Sequence, residues 1–505
     1  MARGDARRDV ELVEDDEGVT GGAPPGGGSQ PGTAAGDGEP AGAPHRTRRR
    51  LLVAGAVLLG LAVVFGVVAQ GVVTSRERAR MAAVAGLPGV LNPVDGPVSA
   101  LRSDADADAE LLRASARTPD GLFVASRETV DGTASVVAFD PADGAVAWEV
   151  ELIGPGSALD VLPDGEVVRS HGSCETYGTE RELLVCLADN GVNVVGRGTL
   201  AQILPTETRL VVLDARDGAV VNDLSSAAGE PLASRSIAVL ADLVVLAGTG
   251  ESTARVRALA ADGTVAWQTS FPTTTTTAYG ARAELRATSD AVALLTPDAL
   301  RLLDEAGETR QQVELTSDTR MEVAPGYAVA DTPQGTVVVR PDGIQRAPGT
   351  WVRLTVDDGS APGLVLTSDE RGLHAWDVDG RALWTAVPTP TAYSAVLLDG
   401  RVLIGNGTAL DALDAGTGER MWSAPGLLPQ SGTATDGRYV LVLAPGPGGS
   451  TPDVLVALDA ADGQRAWAVD LTEPVSSILP VHGVLVAYSF DGSQDGGGLV
   501  TYVLG

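Results

Sequence analysis

Most of the chain is written in short runs of four to eight residues in which apolar positions alternate with polar ones or follow each other without a break. "VLVALD" (454–459) and "QRAWAV" (464–469) are of this kind, and Asp/Gly-containing turns separate them. Such runs read as strands, and an Asp/Gly turn between two of them reads as a hairpin. Upstream of most of these hairpins lies a second one, as in "GRYVLVLAPGPGGSTPDVLVAL", so one unit amounts to about four antiparallel strands.

A different pattern stands near the N-terminus. Residues 51–73, "LLVAGAVLLGLAVVFGVVAQGVV", contain Gln70 as their only polar side chain. At about 1.5 Å per residue such a run can cross a hydrocarbon core of roughly 30 Å. A cleaved signal peptide is the competing reading, but its apolar core usually runs only about 7 to 15 residues after a short leader. Four arginines lie in "HRTRRR" before the run, and three, offset by Glu77, in "SRERAR" after it. That bias favours a cytoplasmic N-terminus and an exported body. Residues 1–50 combine an acidic cluster with a Gly/Pro/Ala stretch that cannot bury enough apolar surface to order itself. The expected organisation is a disordered cytoplasmic tail (1–50), a transmembrane helix (51–74), a juxtamembrane linker (75–95) and an exported all-β body (96–505).

The hairpins repeat. The pattern A-x-D-x-x-x-G-x-x-x-W occurs at Ala138–Trp148, Ala412–Trp422 and Ala457–Trp467, with versions one residue shorter at Ala258–Trp267 and Ala375–Trp384. Weaker copies without the tryptophan are read at "LADNGVNVV", around Asp223, around Asp304 and around Asp342. Four-stranded units recurring at about 40 residues, with no helical periodicity between them, describe a β-propeller. A stacked β-solenoid is the runner-up, and its shorter repeats fit the spacing less well. Eight blades are the default, although nine hairpins and a terminal piece can be marked, so the count pulls upward. Eight would require an inserted hairpin between Ser157 and Ser234, and "GPVSALR" (Gly96–Arg102) could close the ring by pairing with the C-terminus.

The five tryptophan-bearing copies resemble the docking motif of the pyrroloquinoline-quinone-repeat propellers, the quinoprotein alcohol dehydrogenase-like family. The resemblance implies that Trp148, Trp267, Trp384, Trp422 and Trp467 lie between adjacent blades, near the Ala of one and the turn of the next. It also raises a cofactor question, since the family's dehydrogenases hold pyrroloquinoline quinone with a disulfide between adjacent cysteines, a calcium ion and a tryptophan floor. Here the two cysteines, Cys174 and Cys186, stand twelve positions apart. In an exported body they are expected to form a structural disulfide contributing roughly 3 kcal/mol. No cofactor is expected, with quinone and calcium kept as the alternative.

Other chemistry is sparse. The basic residues are all arginine, and the net charge of −30 argues against nucleic acid as a partner. "DADADAE" (Asp104–Glu110) begins like a calcium loop but lacks its glycine and its terminal glutamate. Trp351 and Trp376 fall outside the motif's terminal position, and packing between strands explains them more simply than a channel site. The histidines are scattered, and no Gly-x-Ser-x-Gly elbow accompanies them. The reading that follows is a membrane-anchored extracytoplasmic propeller, non-enzymatic, that binds or scaffolds cell-envelope proteins or peptides. A quinone-dependent oxidoreductase and a ligand-sensing ectodomain are the alternatives. Functional residues are expected where the repeat breaks.

Overall fold

The computed structural model describes residues 78–504, with breaks of which the longest are 105–110, 156–165, 274–282, 388–393, 447–451 and 492–497. The tail and apolar run expected at 1–50 and 51–74 lie outside the described residues, as do "DADADAE" beyond Asp104 and Thr274–Thr277 of the threonine run. Among the described residues no helix is long and apolar enough to cross a membrane.

Nine successive sheets of four or more strands form the body, one more than the default of eight. They are numbered here as blades 1 (116–153), 2 (173–223), 3 (233–272), 4 (284–314), 5 (321–347), 6 (350–386), 7 (394–425), 8 (433–470) and 9 (477–504). Blade 9 takes its fourth strand from the other end of the chain, where Ala100–Asp104 pairs antiparallel with Gly498–Leu504. A tenth, three-stranded sheet joins Glu166–Arg169 to the hairpin of Val192–Gly196 and Thr199–Ile203, inserted between the second and third strands of blade 2. The insertion therefore exists, and nine blades remain after it is set aside.

Burial explains the sequence pattern. Middle strands such as Ala134–Phe139 and Ala299–Leu303 are buried on both faces, hence their unbroken apolar runs. Fourth strands such as Val265–Pro272 alternate exposed and half-buried residues, as outer edges must. First strands of consecutive blades approach one another, which places them at the axis.

Each junction has its own apolar cluster. Val136 of blade 1 packs with Leu184 of blade 2, and the series continues sheet by sheet to Leu455 of blade 8 with Ile478 of blade 9. Val486 and Val503 of blade 9 then pack on Phe123 and Val137 of blade 1. The last sheet is thus joined to the first, and the ring closes with each blade face covered by a neighbour.

Candidate functional site: the seam between blades 5 and 7

The repeat is legible at atomic level. In the full-length motif the aspartate side chain accepts from the amide two residues on, as Asp140 Oδ1 does from Ala142 (2.8 Å) and Asp459 Oδ1 from Ala461 (2.8 Å). The glycine closes the turn onto the aspartate carbonyl with φ near +72° at Gly144, Gly218, Gly418 and Gly463. The motif alanine faces the tryptophan across the hairpin: Ala138–Trp148, Ala258–Trp267, Ala375–Trp384, Ala412–Trp422 and Ala457–Trp467 are register partners.

The tryptophan of one blade then lies on the turn glycine of the next. A Cβ on Gly218 would stand 2.7 Å from Cε3 of Trp148, and the same closeness holds for Gly307 with Trp267, Gly418 with Trp384 and Gly463 with Trp422. The indole N–H of Trp267 donates to the Glu305 carbonyl (2.7 Å) and that of Trp384 to the Ala415 carbonyl (2.8 Å), each one residue past the turn's aspartate. Those of Trp148, Trp422 and Trp467 are buried without a partner. Trp467 has no such glycine among the described residues of blade 9; it packs in the blade 8–9 cluster, edge-on to Tyr439 with centroids 6.4 Å apart.

Blades 2, 4 and 5, which lack the tryptophan, keep the bond. Asn222 donates to the Ala261 carbonyl (2.7 Å) and Gln311 to the Pro341 carbonyl (3.3 Å), again one residue past the position of the motif aspartate. Gln345 lies against Gly380 and reaches the Asp377 carbonyl at 3.4 Å. This corrects the placing of two weak copies. The copy in blade 2 is Val212–Asn222, with Asp214 and Gly218 in the motif positions, not a turn around Asp223. "LADNGVNVV" is the step into the inserted hairpin. The spacing D-x-x-x-G-x-x-x-N in the sequence would have revealed the first.

Cys174 and Cys186 are disulfide-bonded register partners on adjacent strands of blade 2, both buried in the blade 1–2 cluster. A quinone cradle needs its disulfide and a tryptophan face turned into one cavity. Here the disulfide is sealed in a blade junction and the motif tryptophans stand on outer strands, so these residues do not fit that cofactor. Among the described residues no three His, Cys, Asp or Glu side chains gather as a metal site would require. His374 is bonded to Asp369 and Thr385 within blade 6, and His482 to the Ala114 carbonyl; the structure brings neither to the other.

Besides the insertion at blade 2, the repeat departs from its pattern at blades 5 to 7. Thr350–Trp351 pairs as the innermost strand of blade 6 for only two residues. The chain then changes sheets, and Arg353–Asp357 runs parallel to Ser394–Leu398 of blade 7, the only parallel strand pairing among the described strands of the ring. The fully buried part of the blade 5–6 cluster shrinks to Val329, Val338 and Val365, with Tyr327, Trp351 and Trp376 half-buried against it. Trp376 is held within its blade by Thr367 (2.9 Å). A cavity of about 220 Å³ opens at the end of this seam. Val323, Ala324, Leu354, Leu364 and Leu366 line it with the Tyr327 and Trp351 rings, and Arg353 and Asp357 stand at its polar side. Burial, with the Asp357 carboxylate adding to it, pushes the Tyr327 hydroxyl up to about 12, so it is a neutral donor at physiological pH.

Residues expected to be a linker form part of this wall. Leu87 and Pro88 line the cavity, and Gly89 passes so close to the Thr355 carbonyl that a Cβ would collide with it. From there Leu91 donates to Thr435 (2.8 Å) and Asn92 to Gly483 (2.7 Å), while Val84, Val90 and Leu91 are buried. The segment is therefore bound across blades 7 to 9 from Val84 onward.

These features define a propeller built of docking repeats with one irregular seam. The sequence profile of the PQQ_2 family, described as outer membrane protein assembly factor BamB, matches residues 132–347 and 406–501, and the chain belongs to that PQQ-repeat β-propeller family. The stretch between the two matched parts, 348–405, holds blade 6 and the sheet-switching strand. No curated protein matches in sequence. Similar solved structures include BamB from Moraxella catarrhalis, 18% identical over 81% of this chain and 98% of that one (TM-score 0.37). Quinohemoprotein alcohol dehydrogenase from Comamonas testosteroni is 14% identical over 82% and 78% (0.36), and apo AztD from Citrobacter koseri 12% over 70% and 95% (0.32).

Proposed function

We propose that the chain is a single-pass membrane protein whose extracytoplasmic propeller serves as a binding and scaffolding surface for cell-envelope proteins. The family match carries this reading, because the matched family is described as an assembly factor rather than by a reaction. The anchor and its orientation rest on the apolar run at 51–73 and its arginine flanks. In support, the motif tryptophans and the disulfide serve the blades themselves, leaving the non-repeating segments to meet partners. Of the alternatives, quinone-dependent oxidation lacks its cradle, and no observation favours a ligand-sensing role.

Cross-linking of the full chain in cells, followed by identification of what it captures, tests the proposal. Repeated recovery of the same envelope proteins is expected. Recovery of none, with quinone binding and dye-linked alcohol oxidation by the purified chain, would overturn it.

A further inference from the structure

We infer that the cavity at the blade 5–6 seam is a socket for one large apolar side chain, aromatic or aliphatic, carried by a basic segment of a partner protein. The inference rests on the scaffold reading and deepens it by naming what one site on the scaffold holds.

Size comes first. Pockets for drug-sized ligands and cofactors run to about 300–1,000 Å³. At about 220 Å³ this cavity is matched to a side chain instead. Its wall is apolar on most sides, and two aromatic rings, Tyr327 and Trp351, face the space. Interfaces concentrate their binding energy where one anchor residue fills a desolvated pocket of this kind.

Charge selects the segment around the anchor. Asp357 is the one acidic residue in the cavity lining. The one lining arginine, Arg353, is balanced by Glu322 at 3.5 Å, which leaves Asp357 to set the sign of the lip. The body as a whole is strongly acidic. A basic flank would be drawn to this lip, and an acidic one repelled.

The seam is also the part of the ring built to yield. Its outer position carries Gln345 rather than tryptophan, its innermost strand is two residues long, and only three valines are fully buried in its cluster. The lining residues from Trp351 to Leu366 fall in the stretch the family profile passes over, so the socket belongs to this chain rather than to the repeat.

The test uses the full-length protein in detergent and three labelled decapeptides read by fluorescence anisotropy. One is arginine-rich with a central phenylalanine, the second has alanine in its place, and the third keeps the phenylalanine among glutamates. The first is expected to bind at least about tenfold more tightly than either of the others. Ala324→Phe, which fills the cavity from its wall, should abolish that preference with the fold intact by melting, whereas Leu383→Ser on an outer strand should leave it unchanged. Equal binding of the phenylalanine and alanine peptides, binding of none, or an undiminished preference in a folded Ala324→Phe protein would overturn the socket. If cross-linking in cells still captures the same partners in Ala324→Phe, the socket fails and the scaffold reading stands.

Discussion

Junctions 6–7 and 5–6 do the same task with different means. At 6–7 the Trp384 indole covers Gly418 and donates to the Ala415 carbonyl at 2.8 Å, and the cluster beneath is broad. At 5–6 Gln345 keeps only a long hydrogen bond to the Asp377 carbonyl and contact with Gly380, over three buried valines. What both retain is a side-chain donor aimed at the next turn. What differs is apolar area, and an aromatic ring buries roughly 150–250 Å² that a glutamine does not. At these two junctions the hydrogen bond is the shared feature and the ring supplies the adhesion, and the ring docks at Trp148 and Trp422 without that bond.

That division predicts a large loss when the ring is removed. Trp384→Ala should destabilise the body by about 3–5 kcal/mol, measured as a shift in the urea midpoint. A loss below about 1 kcal/mol would break the comparison, because the two junctions would then be equivalent. Gly418→Ala attacks the same junction from the other side. It places a Cβ 2.6 Å from Trp384 at a φ of +72°, so strain and displacement of the ring should together cost about 2–3 kcal/mol. Gly426, also at positive φ but with open space around it, is the matched control: alanine there meets the backbone strain alone.

The contrast between junctions also explains what could be read in advance. The motif is local, eleven residues of one hairpin, and so its strands and turns follow from the letters, while the wedge role of Trp148, Trp267, Trp384 and Trp422 is what the family resemblance implies. Closure by the segment after Gly96 also follows from the letters, since the last repeat is short by one strand. The motif copy of blade 2 escapes the pattern because asparagine at 222 preserves the hydrogen bond but not the letter that marks it. The ninth blade follows from the marked hairpins themselves: of nine, the one at "LADNGVNVV" belongs to the inserted sheet, and the terminal piece completes its own blade with Ala100–Asp104, so the default of eight is one too few. The seam was hidden for a different reason. Whether Arg353–Asp357 pairs with blade 6 or blade 7 is decided by neighbours in space. The socket's walls come from 87–88, 323–327 and 351–366, each of which reads singly as ordinary core.

The inner edge of the ring gives a control in which no wedge is touched. Glu175 sits on the first strand of blade 2, and burial pushes its carboxyl up to about 7, with Arg286 of blade 4 pulling the other way. Between about pH 4.5 and 7 the folded chain thus holds a proton that the unfolded chain has released. This group's stabilising contribution is complete below about 4.5 and is lost as pH rises through about 7. Glu175→Gln should flatten that part of the profile and be the more stable protein above pH 7, by an amount on the order of 1–2 kcal/mol in urea titrations at about pH 5 and about pH 8. A difference that grows toward low pH instead would mean the carboxylate is stabilised at the axis.

The smallest effect discriminates most finely. Gln345→Ala removes a donor at 3.4 Å and little apolar contact, so its cost should be only about 0.5–1 kcal/mol, since a net hydrogen bond of this kind is worth no more. Gln345→Trp then asks whether the seam lacks a wedge by sequence alone. Gly380 is already at a φ of +88° with its face toward position 345, as Gly418 is toward Trp384. If the ring docks there, stability should rise above that of the parent, and binding of the phenylalanine-bearing peptide should weaken as the seam stiffens. If stability falls, the two-residue turn of blade 5 presents its outer strand at a height no indole can use, and the softness of the seam lies in its backbone rather than in one side chain.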